Sequence, residues 1–263
     1  PMYMVVKSTT TEFWKSVFAG ANAAKSEYNV DLIVLGPDTE EDYQALLRKA
    51  PSFPIPFLKC NCFLPGDIHV TGPEAKPEEQ RAYLERAFSR AHALGVETVV
   101  FGSGGARRVP EGFSHVTAWR QIADFLRLVG EYGEKYQINT AIEPLRRKEC
   151  NIINLVSEGT LLSALVNHPR VGVLGDTFHM LCGSEPWAAL EYAGEKLLHV
   201  HISHPLPDLS GRDFPAPGDG CDYAEIFQAL KRMGYQGDVS LEAGYKDLEK
   251  DGAAAIACLR PLM

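Results

Sequence analysis

The chain has 263 residues, a formal net charge of −8, a pI near 5.5, 45% hydrophobic residues and 23% charged ones. That length and balance suit one globular unit able to bury a full core. They argue against a nucleic-acid surface, since no basic stripe is present, and the longest apolar stretches fall far short of the ~20 residues of a membrane span.

In chain order, apolar runs at 3–7, 30–35, 57–63, 97–101, 139–143, 171–175, 197–203 and 238–242 predict eight strands. They are rich in Val, Ile and Leu without strict alternation, as strands covered on both faces are. Amphipathic patterns at about 11–27, 40–50, 77–94, 115–136, 154–167, 186–195, 222–233 and 248–260 predict the helices between and after them. Pro77 before Glu78 and Glu79, Ser157 and Glu158 in a first turn, and Asp222 ahead of Tyr223 read as helix starts. Gly95, Gly130 and Gly234 read as helix stops. Eight alternations with short links predict a (β/α)8 TIM barrel rather than an open doubly wound sheet. With no linker or low-complexity tract, residues 1–263 are expected to form one domain.

The six cysteines, at 60, 62, 150, 182, 221 and 258, include no Cys-x-x-Cys. Reduced thiols in a cytoplasmic protein are the expectation for such a chain, and no secretory-type leader is seen. Cys60 and Cys62 would share one face of a strand, where packing is favoured over zinc binding.

Four of the predicted strands close on a metal-ligand type of residue: Thr140-Ala-Ile-Glu143, Val171-Gly-Val-Leu-Gly-Asp176, Leu197-Leu-His-Val-His201 and Asp238-Val-Ser-Leu-Glu242. In a parallel barrel such strand ends meet at one mouth, where barrel enzymes keep their chemistry. Each residue has a plainer alternative. Glu143 could pair with Arg146 or Arg147, Asp176 could be a helix N-cap, and His201 could be a satisfied core histidine. All four at matching positions on four strands are hard to explain that way. An oxygen-rich set with one imidazole suits Mn²⁺, Mg²⁺ or Co²⁺ better than a structural zinc. Such an ion can stabilise the enediolate of a hydroxy-ketone, while two carboxylates act as base and acid across the reacting carbon.

From about residue 50 onward the chain resembles the sugar isomerase/epimerase barrels related to xylose isomerase, the ketose 3-epimerases above all. The resemblance is carried by Asn61-Cys-Phe-Leu-Pro-Gly-Asp67, Phe101-Gly-Ser-Gly-Gly-Ala-Arg-Arg108, Ile142-Glu-Pro-Leu-Arg-Arg-Lys-Glu-Cys-Asn-Ile-Ile-Asn154 and Asp176-Thr-Phe-His-Met180. It implies metal ligands at Glu143, Asp176, His201 and Glu242, with Glu143 and Glu242 doubling as the proton-transfer pair; Mn²⁺ is the expected ion, with Mg²⁺ and Co²⁺ as the alternatives. It also implies sugar contacts at Glu149 and His179, and at Arg212 in the loop after the seventh strand. The expected partner is a small sugar or ketose, with no nucleic acid or membrane, and the chain is expected to act as a monomer or homodimer.

Residues 1 to about 45 instead resemble the opening strand–helix–strand of a periplasmic sugar-binding protein, on Tyr3-Met-Val-Val-Lys-Ser-Thr and Asn29-Val-Asp-Leu-Ile-Val-Leu-Gly-Pro-Asp-Thr39. A parallel βαβ unit has the same hand in that flavodoxin-like fold and in a barrel, so the resemblance implies a grafted segment and an engineered chimera. Three functional expectations follow: a metal-dependent ketose 3-epimerase or sugar isomerase, a hydroxypyruvate isomerase-like or inosose dehydratase-like enzyme on the same scaffold, or an inactive chimera that keeps its metal site.

Overall fold

Parallel strands alternate with helices in a computed structural model that describes residues 2–5, 32–35, 40–52 and 56–263. Two compact units divide the chain, residues 1–58 with 93–95 and residues 59–92 with 96–263.

In the first unit, β1 (Met2–Val5) pairs in parallel with β2 (Leu32–Leu35), Met2 lying opposite Leu32 and Val5 opposite Leu35. A helix, α1 (Glu40–Lys49), follows and buries Tyr43 and Leu46. The expected helix at about 11–27 and most of the segment that resembles a periplasmic binding protein lie outside the described residues.

The second unit contains a six-stranded parallel sheet. Its elements in chain order are β3 (Lys59–Cys60), α2 (Pro77–Ala93), β4 (Thr98–Phe101), α3 (Gly104–Arg107), α4 (His115–Tyr136), β5 (Asn139–Ile142), α5 (Val156–Val166), β6 (Val171–Asp176), α6 (Thr177–Cys182), α7 (Ala188–Ala193), β7 (Leu197–Ile202), β8 (His204–Pro205), β9 (Arg212–Asp213), α8 (Tyr223–Arg232), β10 (Val239–Leu241) and α9 (Leu248–Leu259). The sheet runs β3-β4-β5-β6-β7-β10, and β8 and β9 form a separate antiparallel pair in the loop between β7 and β10. Because neighbours in sequence are neighbours in the sheet and all run parallel, the strand ends that carry the candidate ligands emerge on one side.

Strands β4 and β6 are buried at every residue, which is why their sequences lack polar alternation. The helices bury one stripe each. In α4, Ala118, Ile122, Phe125, Leu126 and Val129 face inward, and Ser114 caps the start by accepting from the Thr117 N–H. The Asp222 carboxylate caps α8 through the Ala224 and Glu225 N–H groups, as its sequence position predicts. A core cluster forms from Val156, Val173, Leu190, Val200, Phe227 and Leu230 among others.

Two expectations are corrected. Gly130 does not stop a helix: α4 runs through it and ends at Gln137, which takes the left-handed conformation at φ 57°. The glycine is there for close approach, since a Cβ at 130 would overlap the His168 ring. The strand expected over 57–63 shrinks to Lys59–Cys60, because Cys62 adopts φ 53° and breaks the extended run. Cys60 and Cys62 are accordingly both exposed rather than packed on a common face. The short helices α3 and α6 and the β8–β9 pair had no signal in the hydrophobic pattern.

Candidate metal centre and active site

Pro144 fixes where the fifth strand ends, so Glu143 is the first residue beyond β5 and turns its side chain toward the strand ends rather than into the ladder. Asp176 is the last residue of β6, His201 lies opposite it on β7, and Glu242 follows β10 with its N–H bonded to the Ile202 carbonyl. One ligand atom from each of Glu143, Asp176, His201 and Glu242 lies within 4.8 Å of those from the other three. Glu143, Asp176 and His201 are buried, and the Glu242 side chain keeps 29% of its surface exposed.

His201 Nδ1 is the hub: Glu242 Oε2 lies 2.5 Å away, Glu143 Oε1 3.0 Å and Asp176 Oδ2 3.5 Å. One imidazole nitrogen carries one hydrogen, so it satisfies one carboxylate at a time. Three carboxylates drawn around one N–H make a donor set that a multivalent, oxygen-seeking cation matches better than the imidazole does. These residues fit a divalent ion, with Glu143, Asp176, His201 and Glu242 as the ligands that would hold it.

The electrostatics agree. Burial pushes the Glu143 carboxyl up, the neighbouring Glu242 charge adds to it, and the His201 hydrogen bond works against both. Burial also acts to raise Asp176, but the His201 hydrogen bond and the His179 and Arg212 charges outweigh it and hold that carboxyl well below the usual range. Burial opposes a charge on His201, yet hydrogen bonds to Asp176, Glu143 and Glu242 raise it well above the ordinary histidine value.

Asp176 caps a helix and also lies in the candidate metal cluster. Its Oδ1 accepts from the Phe178 and His179 N–H groups and caps α6, while Oδ2 faces the cluster. Glu143 makes no ion pair with Arg146; that arginine binds Glu149 Oε1 at 2.6 Å and the Leu209 carbonyl at 2.6 Å. The two imidazoles of β7 share a face as alternation predicts, with ring centroids 5.2 Å apart, and His199 Nε2 lies 2.8 Å from Ser240 Oγ.

The residues expected to contact a sugar gather beside the cluster. His179 is buried, its Nδ1 accepts from the Arg146 N–H, and its Nε2 lies 3.9 Å from Glu149 Oε2. Arg212, on β9, reaches Asp176 Oδ2 at 2.5 Å through Nη1 and Glu242 Oε2 at 3.1 Å through Nη2. The guanidiniums of Arg146 and Arg212 both lie against the Phe178 ring, at 4.7 and 5.2 Å from its centroid. Sequence reasoning missed Phe178 as the shelf for both arginines and Asn61, whose amide donates to Glu242 Oε1 at 3.3 Å. Phe178 was visible only as the residue before His179, and Asn61 sits inside a motif noted for resemblance alone.

Comparison with known proteins places this geometry. The family model described as "Xylose isomerase-like TIM barrel" matches residues 19–262, a span that begins inside the segment read as grafted. The chain is 28% identical over 186 residues to a protein named probable ketose 3-epimerase from Synechocystis sp., covering 68% of this chain and 61% of the relative. It is 31% identical over 183 residues to an L-ribulose 3-epimerase from Methylomonas sp., covering 67% and 60% respectively. The alignments thus span about three-fifths of those relatives' length. A crystal structure of D-psicose 3-epimerase in the presence of D-fructose superimposes with a TM-score of 0.73 at 19% identity, covering 98% of this chain and 96% of that one. With six parallel strands in barrel order, four candidate ligands at their ends and a family match along most of its length, this chain belongs to the xylose isomerase-like TIM barrel family.

Proposed function

We propose that this protein is a divalent-metal-dependent epimerase or isomerase of a small ketose, with Glu143 and Glu242 as the proton-transfer pair. The carrying observation is the convergence of Glu143, Asp176, His201 and Glu242 within 4.8 Å, in a chain whose named relatives include ketose 3-epimerases. A divalent cation held by these residues, of the Mn²⁺, Mg²⁺ or Co²⁺ kind that the donor set suits, would supply Lewis-acid stabilisation of the enediolate.

The rest falls to the protein's own residues. Glu143 and Glu242 enter from different strands, β5 and β10, and so approach a bound ketose from two directions. One carboxylate takes the proton from the carbon beside the carbonyl, and the other returns a proton to the opposite face, which inverts that centre. Burial acts to raise the proton affinity of Glu143, and a bound divalent cation would act against it and keep the carboxylate ionised for the base role. Glu149 and His179 sit at the edge of the cluster, where they can grip the hydroxyls flanking the reacting carbon. Arg212 neutralises two of the carboxylates and offers its remaining N–H groups to a substrate oxygen.

Solvent exchange tests this reading. With Mn²⁺ present, deuterium from water should enter a ketose of a panel of pentuloses and hexuloses, and both Glu143→Gln and Glu242→Gln should abolish the incorporation. Exchange that survives in Glu242→Gln would leave Glu143 as the sole base and favour aldose–ketose isomerisation. Absence of exchange into every ketose by a protein that binds Mn²⁺ would overturn the reading.

A further inference from the structure

The segment Gly102-Ser-Gly-Gly-Ala-Arg107 supplies no ligand, yet it is built around one. Gly102 faces Glu143 so closely that a Cβ there would overlap Glu143 Oε2. Arg107, at the end of α3, is fully buried. Its Nη1 donates to the Phe101 carbonyl at 2.7 Å and its Nη2 to the Glu143 carbonyl at 2.6 Å, while the guanidinium lies 5.1 Å from the Phe101 ring centroid. The Phe101 carbonyl also accepts from the Glu143 N–H at 3.2 Å, so the guanidinium closes a ring of hydrogen bonds across the ends of β4 and β5. Pro144 comes next and ends the pairing, and Arg107 takes over the carbonyl at the point where Glu143 leaves the strand.

A buried guanidinium that spends its fork on two carbonyls, with the Cys150 side chain beside it and its Nε unpaired among the described residues, is costly, and a well-packed apolar side chain would serve stability as well. What an apolar residue would not do is fix two backbone oxygens with a planar fork. We propose that Arg107 is a positioning residue for the metal centre, clamping the Phe101 and Glu143 carbonyls so that the Glu143 carboxylate is held among Asp176, His201 and Glu242. This rests on Glu143 being a metal ligand in the function proposed above.

The test is Mn²⁺ titration calorimetry on the full chain, Arg107→Lys, Arg107→Met and Leu230→Ala, each first shown to be folded by circular dichroism. Leu230 is buried in the core cluster on α8 and is neither a candidate ligand nor a partner of Arg107, so it controls for loss of stability alone. Arg107→Met should bind Mn²⁺ ~10- to 100-fold more weakly, the usual effect of losing a group that orients a ligand. Arg107→Lys should fall between it and the parent, because an ammonium reaches one carbonyl and leaves the other. Leu230→Ala should bind as the parent does. If Arg107→Met does not fold, the lysine variant decides. Parent-like affinity in the folded Arg107 variants, or an equal loss in Leu230→Ala, would overturn the proposal. A parent protein that binds Mn²⁺ but labels no ketose would sink the sugar reading alone, whereas a parent that binds no Mn²⁺ would sink both.

Discussion

Asp176 offers the sharpest single test, because its two oxygens do different work. Oδ1 caps α6 through the Phe178 and His179 N–H groups, and Oδ2 faces His201 and Arg212 in the cluster. Asp176→Asn keeps an oxygen for the cap and removes the charge; Asp176→Ala removes both. Loss of the charge is common to the two variants, so their difference in stability isolates the cap, worth about 1 kcal/mol. For a chain of this size that corresponds to roughly 2–4 °C in Tm. The alanine variant should therefore melt a few degrees below the asparagine variant in metal-free buffer, and neither should bind Mn²⁺ measurably by calorimetry. Coincident melting curves would refute the capping half of the argument. Parent-like Mn²⁺ affinity in Asp176→Asn would refute the ligand half, since an amide oxygen without charge is a poor replacement for a carboxylate in a site that must neutralise a divalent ion.

Three further outcomes are expected. Burial opposes a charge on His201, but hydrogen bonds to the carboxylates outweigh it and raise the ring well above the ordinary histidine value; Mn²⁺ binding should therefore release a proton and tighten as pH rises, shown by calorimetry in buffers of differing ionisation enthalpy. Burial, with the His201 charge beside it, pulls His199 down to about 4 from an ordinary 6.5. Its lowered folded value means the unfolded chain binds more protons between those limits, so the stability it contributes is lost as pH falls through that window, by up to ~3 kcal/mol. Urea melts at successive pH values should show that slope, and His199→Gln should flatten it. Gly102→Ala should push the Glu143 carboxylate aside and weaken Mn²⁺ binding while leaving the fold intact by circular dichroism; unaltered affinity would show that Glu143 has room the structure does not give it.

Among the described residues, the sequence by itself determined the alternation of strands and helices and the four candidate ligands at or near strand ends. Both are encoded locally: apolar runs without alternation mark strands buried on two faces, and Pro144 and the capping aspartates mark their ends. What the sequence could not decide was any property that depends on two distant segments meeting. Whether Gly130 stops a helix or admits the His168 ring turns on a neighbour 38 positions away, and the actual stop is Gln137 in a left-handed conformation that its residue type does not announce. The sequence left a Glu143–Arg146 ion pair open until the fold set Arg146 on Glu149 and the Leu209 carbonyl instead. Asp176 carried a cap reading beside the ligand reading, and only the placement of β7 and β9 beside it shows that one oxygen caps α6 while the other faces the candidate metal cluster. Arg107 stood in the sequence only inside a segment noted for resemblance, since a surface arginine and a buried clamp look alike until the carbonyls of two adjacent strands converge on the guanidinium. Hydrophobic periodicity records which side of an element is buried, whereas pairing among polar groups is set by the three-dimensional register of the strands that carry them.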